Sequence, residues 1–370
     1  MSIIRRKEVV DLKILTVVGA RPQFIKAAVV SRKLREKHTE VLVHTGQHYD
    51  YNMSDVFFEE LNIPKPDYNL GISGGRHGAM TGKMIISLED VLLSEEPDGV
   101  LVYGDTNSTL AAALSAVKLH IPVFHVEAGN RLGTLDNPEE VNRICTDHVS
   151  TRLMACTQSA MEFLSKEGLS DRSALVGDPM YDAFLYYQAQ CTDDILSHAT
   201  DLDDNRIDLP DEFYYLTCHR QENTDTDEKI KQILSAMEQL DASTIYPVHP
   251  RNAAQVKRVK EENHFNNTIL IKPGGYLTSI ALVKGAKRIV TDSGGLQREA
   301  FFAQKQCVTV FDHVIWPETM YDNRNQLARP DAEDIISKLS VVQTIDPSYR
   351  PFGDGNSSDK IIRTLEEYSK

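Results

Sequence analysis

Of the 370 residues only one is tryptophan, Trp316. Five are cysteine, an odd number with no paired spacing among Cys145, Cys156, Cys191, Cys218 and Cys307. That argues against a disulfide framework and a cysteine metal site, and for reduced thiols in the cytoplasm. No stretch approaches the ~18 consecutive apolar residues of a transmembrane helix. The N-terminus is basic at Arg5-Arg6-Lys7, but Glu8, Asp11 and Lys13 interrupt the next stretch, so no apolar signal-peptide centre is present. Basic residues are in deficit: 40 Lys and Arg against 54 Asp and Glu give a net charge of −14. That balance argues against nucleic acid and against an anionic membrane as partners. It leaves room for a phosphorylated small molecule met by a few focused Arg, Lys and helix N-termini. There is neither a Gly-x-Gly-x-x-Gly fingerprint nor a Walker lysine loop, which weakens NAD binding and P-loop phosphoryl transfer.

What is present is alternation. Short β-rich apolar runs at Lys13–Val18, Glu40–His44, Gly99–Gly104, Val123–Glu127, Leu153–Thr157 and Ala174–Val176 are separated by helix-period segments. The pattern lapses through an Asp-rich stretch at 186–212, read as a connection, and restarts at Phe213–Cys218, Thr244–Val248, Thr268–Ile271, Arg288–Thr291 and Cys307–Phe311. The expected fold class is α/β, with two Rossmann-like doubly wound domains facing each other across a cleft. The first spans 11–185 and the second 213–356. A last helix, capped by Asn356-Ser357-Ser358, is expected to pack residues 357–370 back on the first domain.

In such sheets ligands lie beyond the carboxyl ends of the strands, so the residues just after each strand carry the information. After the first strand, Gly19 permits a tight turn, Pro22 suits a helix start, and Arg21 and Lys26 are placed to meet an anion. The third strand ends in Gly104-Asp105-Thr106, where Asp105 is either a helix cap or a functional acid. Glu127, at the tip of an apolar strand and followed by Gly129, is costly to bury without a task. In Asn137-Pro138-Glu139-Glu140, Glu140 falls where it closes a capping box on Asn137, leaving Glu139 for a ligand, with Arg143 four residues on.

The second domain puts His219-Arg220 and His249 at strand ends. Ser293-Gly294-Gly295 form a glycine-exposed helix start suited to a diphosphate, and Glu299 is suited to ribose hydroxyls. His44 and His48 flank Thr45-Gly46-Gln47 and make a poor metal pair. No metal site is expected. Cys218 reads better as a strand filler than as a nucleophile, and Trp316 equally as a lid or a core anchor.

These blocks, Gly19–Lys26, His44–His48, Gly104–Thr106, His125–Gly129 with Arg131, Pro138–Arg143, His219–Asn223 and Asp292–Gln297 with Glu299, resemble the non-hydrolysing UDP-N-acetylglucosamine 2-epimerases, in family order from about residue 13 to residue 320. The resemblance implies the GT-B architecture, a homodimer and no organic cofactor. It implies interconversion of UDP-GlcNAc and UDP-ManNAc through elimination of UDP to a 2-acetamidoglucal and re-addition. By matching position, Asp105, Glu127 and Glu139 are the acid/base carboxylates, and His219 counts with both the catalytic and the UDP-binding groups. Arg21, Ser293, Gly294, Gly295 and Glu299 lie around UDP, and Lys26 and Arg143 near the reacting sugar. Gln47 and His48 belong to a possible activator site for a second UDP-sugar.

The match has departures. The family's usual Gly-Thr-Arg-Pro-Glu is here Gly19-Ala20-Arg21-Pro22-Gln23, Arg298 stands where Glu is common, and Trp316 replaces the Arg of Thr-Glu-Arg-Pro-Glu. The Ala-Arg-Pro-Gln-Phe form and the Trp resemble the branch acting on UDP-2,3-diacetamido-2,3-dideoxy-glucuronate, an alternative substrate. Two rival activities share much of this residue pattern, a hydrolysing 2-epimerase and a GT-B glycosyltransferase.

Overall fold

The computed structural model describes residues 11–47, 58–192, 194–314 and 316–368. The chain divides into two compact units. One runs through Ala183 and takes back the segment from Arg350 onward; the other is Phe184–Tyr349. The division falls inside the helix Pro179–Gln188.

The first unit holds seven parallel strands: β1 Lys13–Val18, β2 Thr39–His44, β3 Tyr68–Asn69, β4 Gly99–Tyr103, β5 Val123–Val126, β6 Arg152–Ala155 and β7 Ser173–Leu175. They are ordered β3-β2-β1-β4-β5-β6-β7. β1, β4 and β5 are apolar along nearly their whole length, as befits strands covered on both faces. Val17, Val43, Val100 and Val102 pack with Met84 and Leu88 of the helix His77–Glu95 and with Ala111–Ala113 of the helix Asn107–Lys118. Each such buried aliphatic side chain contributes about 1.5–3 kcal/mol.

The last helix, Ser357–Tyr368, belongs to this unit. Its start is capped from a distance, because Asp182 accepts from Ser357 N at 3.1 Å, Ser358 N at 2.8 Å and Ser358 Oγ at 2.8 Å. Its far end sets Tyr368 edge-on to Phe124.

The second unit holds β8 Phe213–Thr217, β9 Ser243–Pro247, β10 Thr268–Ile271, β11 Ile289–Thr291, β12 Cys307–Val310 and β13 Asn325–Ala328, ordered β10-β9-β8-β11-β12-β13, again all parallel. Both sheets therefore reverse winding beside their first strand, between β1 and β4 and between β8 and β11. That switch point is where doubly wound sheets bind ligands. The short strands β3 and β13 were not among the expected ones. The stretch 186–212 carries a short 3-10 helix, Ile195–His198, and Thr200 O accepts from Lys272 N at 3.0 Å.

Candidate active site

The turn after β1 is held by Gln23, which is buried. Its Oε1 accepts from Gly19 N at 2.8 Å and Ala20 N at 3.0 Å. Its amide donates to Tyr103 O at 2.7 Å, the last carbonyl of β4, and lies 2.9 Å from Thr109 Oγ1. One side chain thus ties the ends of β1 and β4 together, and a carboxylate there would have no N–H to add to the Thr109 hydroxyl already on Tyr103 O. On the same helix, Arg21–Leu34, Lys26 reaches Glu127 in an ion pair buried at both partners.

Glu127 follows β5 with φ +70° and is the only buried member of the described non-glycine residues with positive φ. Such backbone costs of order 1–3 kcal/mol and persists where its surroundings over-determine it. Gly104, φ +63°, lies against this pair, since a Cβ there would be 3.5 Å from Lys26 Nζ and 3.9 Å from Glu127 Oε1.

Asp105 does not cap the next helix. Thr106 does, accepting from Thr109 N at 3.3 Å. Asp105 is pinned instead by two successive residues of the helix Pro138–Val149: Asn142 Nδ2 donates to its carbonyl at 3.0 Å, and Arg143 pairs with its carboxylate. Arg143 is buried and also pairs with Glu140. Burial works against its charge, but Asp105, Glu140 and Glu127 outweigh that and raise its pKa. The capping box expected of Glu140 is not formed. Asn137 caps the helix with its own side chain, accepting from Glu139 N at 2.9 Å and Glu140 N at 3.2 Å. The Glu140 carboxylate is buried and spent on Leu132 N (2.8 Å), Gly133 N (3.1 Å) and Arg143. Glu139 is exposed in the first turn, and among the described residues no ion pair holds it.

Cys156 and Asp178 bring ligand atoms within 4.8 Å of those of Glu127 and of each other, all three buried. The Lys26 ammonium already supplies Glu127 with a cation, so a metal there would have to displace it.

In the second unit the organising group is Asp292, buried directly after β11. One of its oxygens accepts from His219 N and Arg220 N, both at 2.8 Å; the other lies 3.2 Å from His219 Nδ1. Burial pushes this carboxyl up, and the His219 and backbone hydrogen bonds more than offset it, leaving it below the usual aspartate range. The His219 ring is half-exposed, with Nδ1 turned to Asp292 and Nε2 available. Ser293 caps the helix Gly294–Phe302, and the first N–H groups of that helix, at Gly294 and Gly295, open at its N-terminus. Glu299 is buried one turn on. Burial first, and the nearby Asp292, push the Cys218 thiol far up, so it is a strand-end filler and no nucleophile. Trp316 is buried with the Arg298 guanidinium 4.0 Å above its ring, a core anchor.

Gln47 accepts from Ser108 N at 3.0 Å through its Oε1; His48 lies outside the described residues. Arg21 is partly exposed at the helix start. Gln23, Glu140 and Asp292 were missed as site-shaping groups. Only Asp292, standing at a strand end, carried a signal that could have identified it.

A family model described as UDP-N-acetylglucosamine 2-epimerase matches residues 32–366. The chain is 43% identical over 358 residues to a UDP-N-acetylglucosamine 2-epimerase homolog of Methanococcus maripaludis, covering 96% of this chain and 99% of that one. It is also 43% identical over 364 residues to the UDP-2,3-diacetamido-2,3-dideoxy-D-glucuronate 2-epimerase of Pseudomonas aeruginosa, covering 96% and 99%. The crystal structure of Methanocaldococcus jannaschii UDP-GlcNAc 2-epimerase in complex with UDP-GlcNAc and UDP matches with a TM-score of 0.85 at 37% identity, covering 96% of this chain and 100% of that one. The α/β class expected from the sequence, two doubly wound parallel units of the GT-B type, holds. No helix among the described residues is long and apolar enough to cross a membrane. By its sequence over nearly its whole length, and by its fold, this chain belongs to the UDP-N-acetylglucosamine 2-epimerase family, whose members are isomerases.

Proposed function

We propose that the protein inverts the second sugar carbon of UDP-N-acetylglucosamine, interconverting it with UDP-N-acetylmannosamine, and works as a homodimer without an organic cofactor. The observation that carries this reading is the pair of carboxylates at neighbouring strand ends, Glu127 against Lys26 and Asp105 against Arg143. The proton on that carbon is weakly acidic, so a positioned base and a stabilised leaving group must supply the rate. In the forward step a carboxylate takes the proton, the C–H electron pair becomes the C1=C2 bond of a 2-acetamidoglucal, and the C1–O pair leaves with UDP. In the return step a proton is delivered to the opposite face of C2 as the diphosphate oxygen re-attacks C1.

Asp105, Glu127 and Glu139 share the acid/base work. Lys26 and Arg143 serve it through the carboxylates they hold. His219, oriented by Asp292, presents Nε2 to the diphosphate, the N–H groups of Gly294 and Gly295 behind the Ser293 cap cradle it, and Glu299 receives the ribose hydroxyls. Arg21 counts with the UDP-binding groups. A second UDP-sugar at the Gln47 and His48 block acts as an activator.

The test is turnover of UDP-N-acetylglucosamine in heavy water followed by NMR. Deuterium entering the second carbon of an intact UDP-sugar is the expected result. Stoichiometric free UDP with reducing sugar would sink the reading in favour of a hydrolysing enzyme. Transfer of the sugar to an acceptor would favour a glycosyltransferase.

A second substrate reading has its own observation, the buried stack of Arg298 on Trp316, two departures from the family's usual residues in one contact. It makes the substrate a modified sugar such as UDP-2,3-diacetamido-2,3-dideoxy-D-glucuronate. The ratio of kcat/KM for the two nucleotides decides between them.

A further inference from the structure

We propose that His125, Asp147 and Arg131 form a positioning relay that holds the Asp105 loop and the Glu127 loop in register, with the His125 ring protonated at both nitrogens. It rests on the reading of Asp105 and Glu127 as acid/base groups.

His125 sits on β5, two residues before Glu127, with its side chain fully buried. Nε2 lies 2.7 Å from Gly104 O, the carbonyl immediately before Asp105. A carbonyl only accepts, so Nε2 carries a proton. Nδ1 lies 2.7 Å from Asp147 Oδ1. Burial works to raise the Asp147 carboxyl, but His125 and Arg131 together hold it below the ordinary range. The Arg131 guanidinium bonded to its second oxygen keeps Asp147 a carboxylate, which can only accept, so Nδ1 donates to it.

The other Asp147 oxygen accepts from Gly129 N at 3.0 Å, two residues beyond Glu127, and from Arg131 Nη1 at 2.7 Å. Arg131 is in turn clamped by Glu167, Nε and Nη2 each 2.7 Å from a carboxylate oxygen. Two cations and two anions balance, which is what allows an imidazolium to remain fully buried.

The relay runs from the Gly104 carbonyl, before Asp105, to the Gly129 amide, two residues after Glu127, and the positive-φ positions Gly104, Glu127 and Gly129 all lie on the two loops it joins. Gly129, φ +87°, packs so tightly that a Cβ there would fall 2.6 Å from Ala160 O, and this end of the relay has no room to drift. Strained backbone needs such an over-determining contact. None of these groups touches the reacting atoms in our reading, so the relay positions and does not catalyse.

Asparagine and glutamine separate its two halves, because the amide nitrogen of His125→Asn stands in for Nδ1 and that of His125→Gln for Nε2. His125→Asn keeps the Asp147 bond and releases Gly104. The expected loss in kcat for deuterium entry at the second carbon is about 100-fold, since a displacement of an ångström costs that much. His125→Gln keeps the Gly104 bond and is expected to lose about 10-fold. In both, the KM for UDP-N-acetylglucosamine and the affinity for UDP stay within about threefold of wild type, because a relay confined to the carboxylate loops leaves substrate binding intact. Equal, near-wild-type kcat in both variants, or KM rising in step with the loss, would overturn the proposal.

The wild-type chain supplies a readout that needs no variant. In 15N-histidine-labelled protein at neutral pH the His125 ring should show two protonated nitrogens, and one bare nitrogen would overturn it. A wild type that never exchanges the proton counts against the proposed function, while a wild type that exchanges it with a neutral His125 counts against the relay alone.

Discussion

The two units share the order of their first six strands, the first unit adding a seventh at the edge, and fill the neighbourhood of their switch points in opposite ways. In the first, the acids are held by cations: Glu127 by Lys26, Asp105 by Arg143, Asp147 by His125 and Arg131. In the second, the buried acid Asp292 is held by the His219 ring and by the backbone N–H groups of His219 and Arg220, beside a helix start whose glycines expose further N–H groups. Charge pairs suit groups whose protonation must change during a reaction, because the partner cation stabilises the ionised state without fixing it. Neutral, rigid donors suit a ligand that stays anionic throughout. On the proposed function, one topology serves proton transfer in one copy and anion recognition in the other.

The contrast can be broken at several points. Glu127→Gln should cut deuterium entry at the second carbon by about 10³-fold while UDP affinity by calorimetry is unchanged. If UDP binding falls with it, the division of labour is wrong. Lys26→Met leaves Glu127 buried without its cation and should cost about 3–5 kcal/mol in denaturant unfolding. Asp292→Asn removes the anion that orders His219 and should weaken UDP binding about 10-fold, with a smaller change in kcat.

Asp147 and Asp292 both have folded pKa values below the ordinary aspartate value. Their contribution to stability is therefore complete above that value, about 4, and lost as pH falls from there through the folded values. Asp147→Asn should flatten the acid limb of a stability-versus-pH curve, and an unchanged limb would show that its pairs contribute nothing. Smallest of all, the exposed pair Lys229–Asp225 should yield no more than about 0.5 kcal/mol on Lys229→Met, which sets the scale for the buried pairs.

Much of the fold was legible along the chain because both periodicities are local. β1 and β10 fall on their apolar runs residue for residue. β3, two residues long, and β13, Asn325-Gln326-Leu327-Ala328, carry no run to read; pairing with β2 and β12 makes them strands. At the site, Glu127 stood out as an acid at a strand tip, whereas Asp105, taken alone, read better as a helix cap, a role that falls to Thr106. Glu140 was misread because a capping rule sees only its own helix, whereas the unsatisfied N–H groups of Leu132 and Gly133 lie in the preceding loop. Asp147 gave no signal, being one acid within an amphipathic helix, 22 residues from the histidine it meets.

The sequence by itself determined two rounds of parallel β-α-β winding, the strand ends at which chemistry is placed, and the residue types waiting there. Tertiary structure alone decided which charge answers which: Lys26 to Glu127, Arg143 to Asp105 and Glu140, His125 and Arg131 to Asp147. The reason is physical. Strand and helix periods are repeated over neighbouring residues, while the strength of an ion pair depends on separation and on exclusion of water, and both exist only once the sheet has brought distant strand ends together.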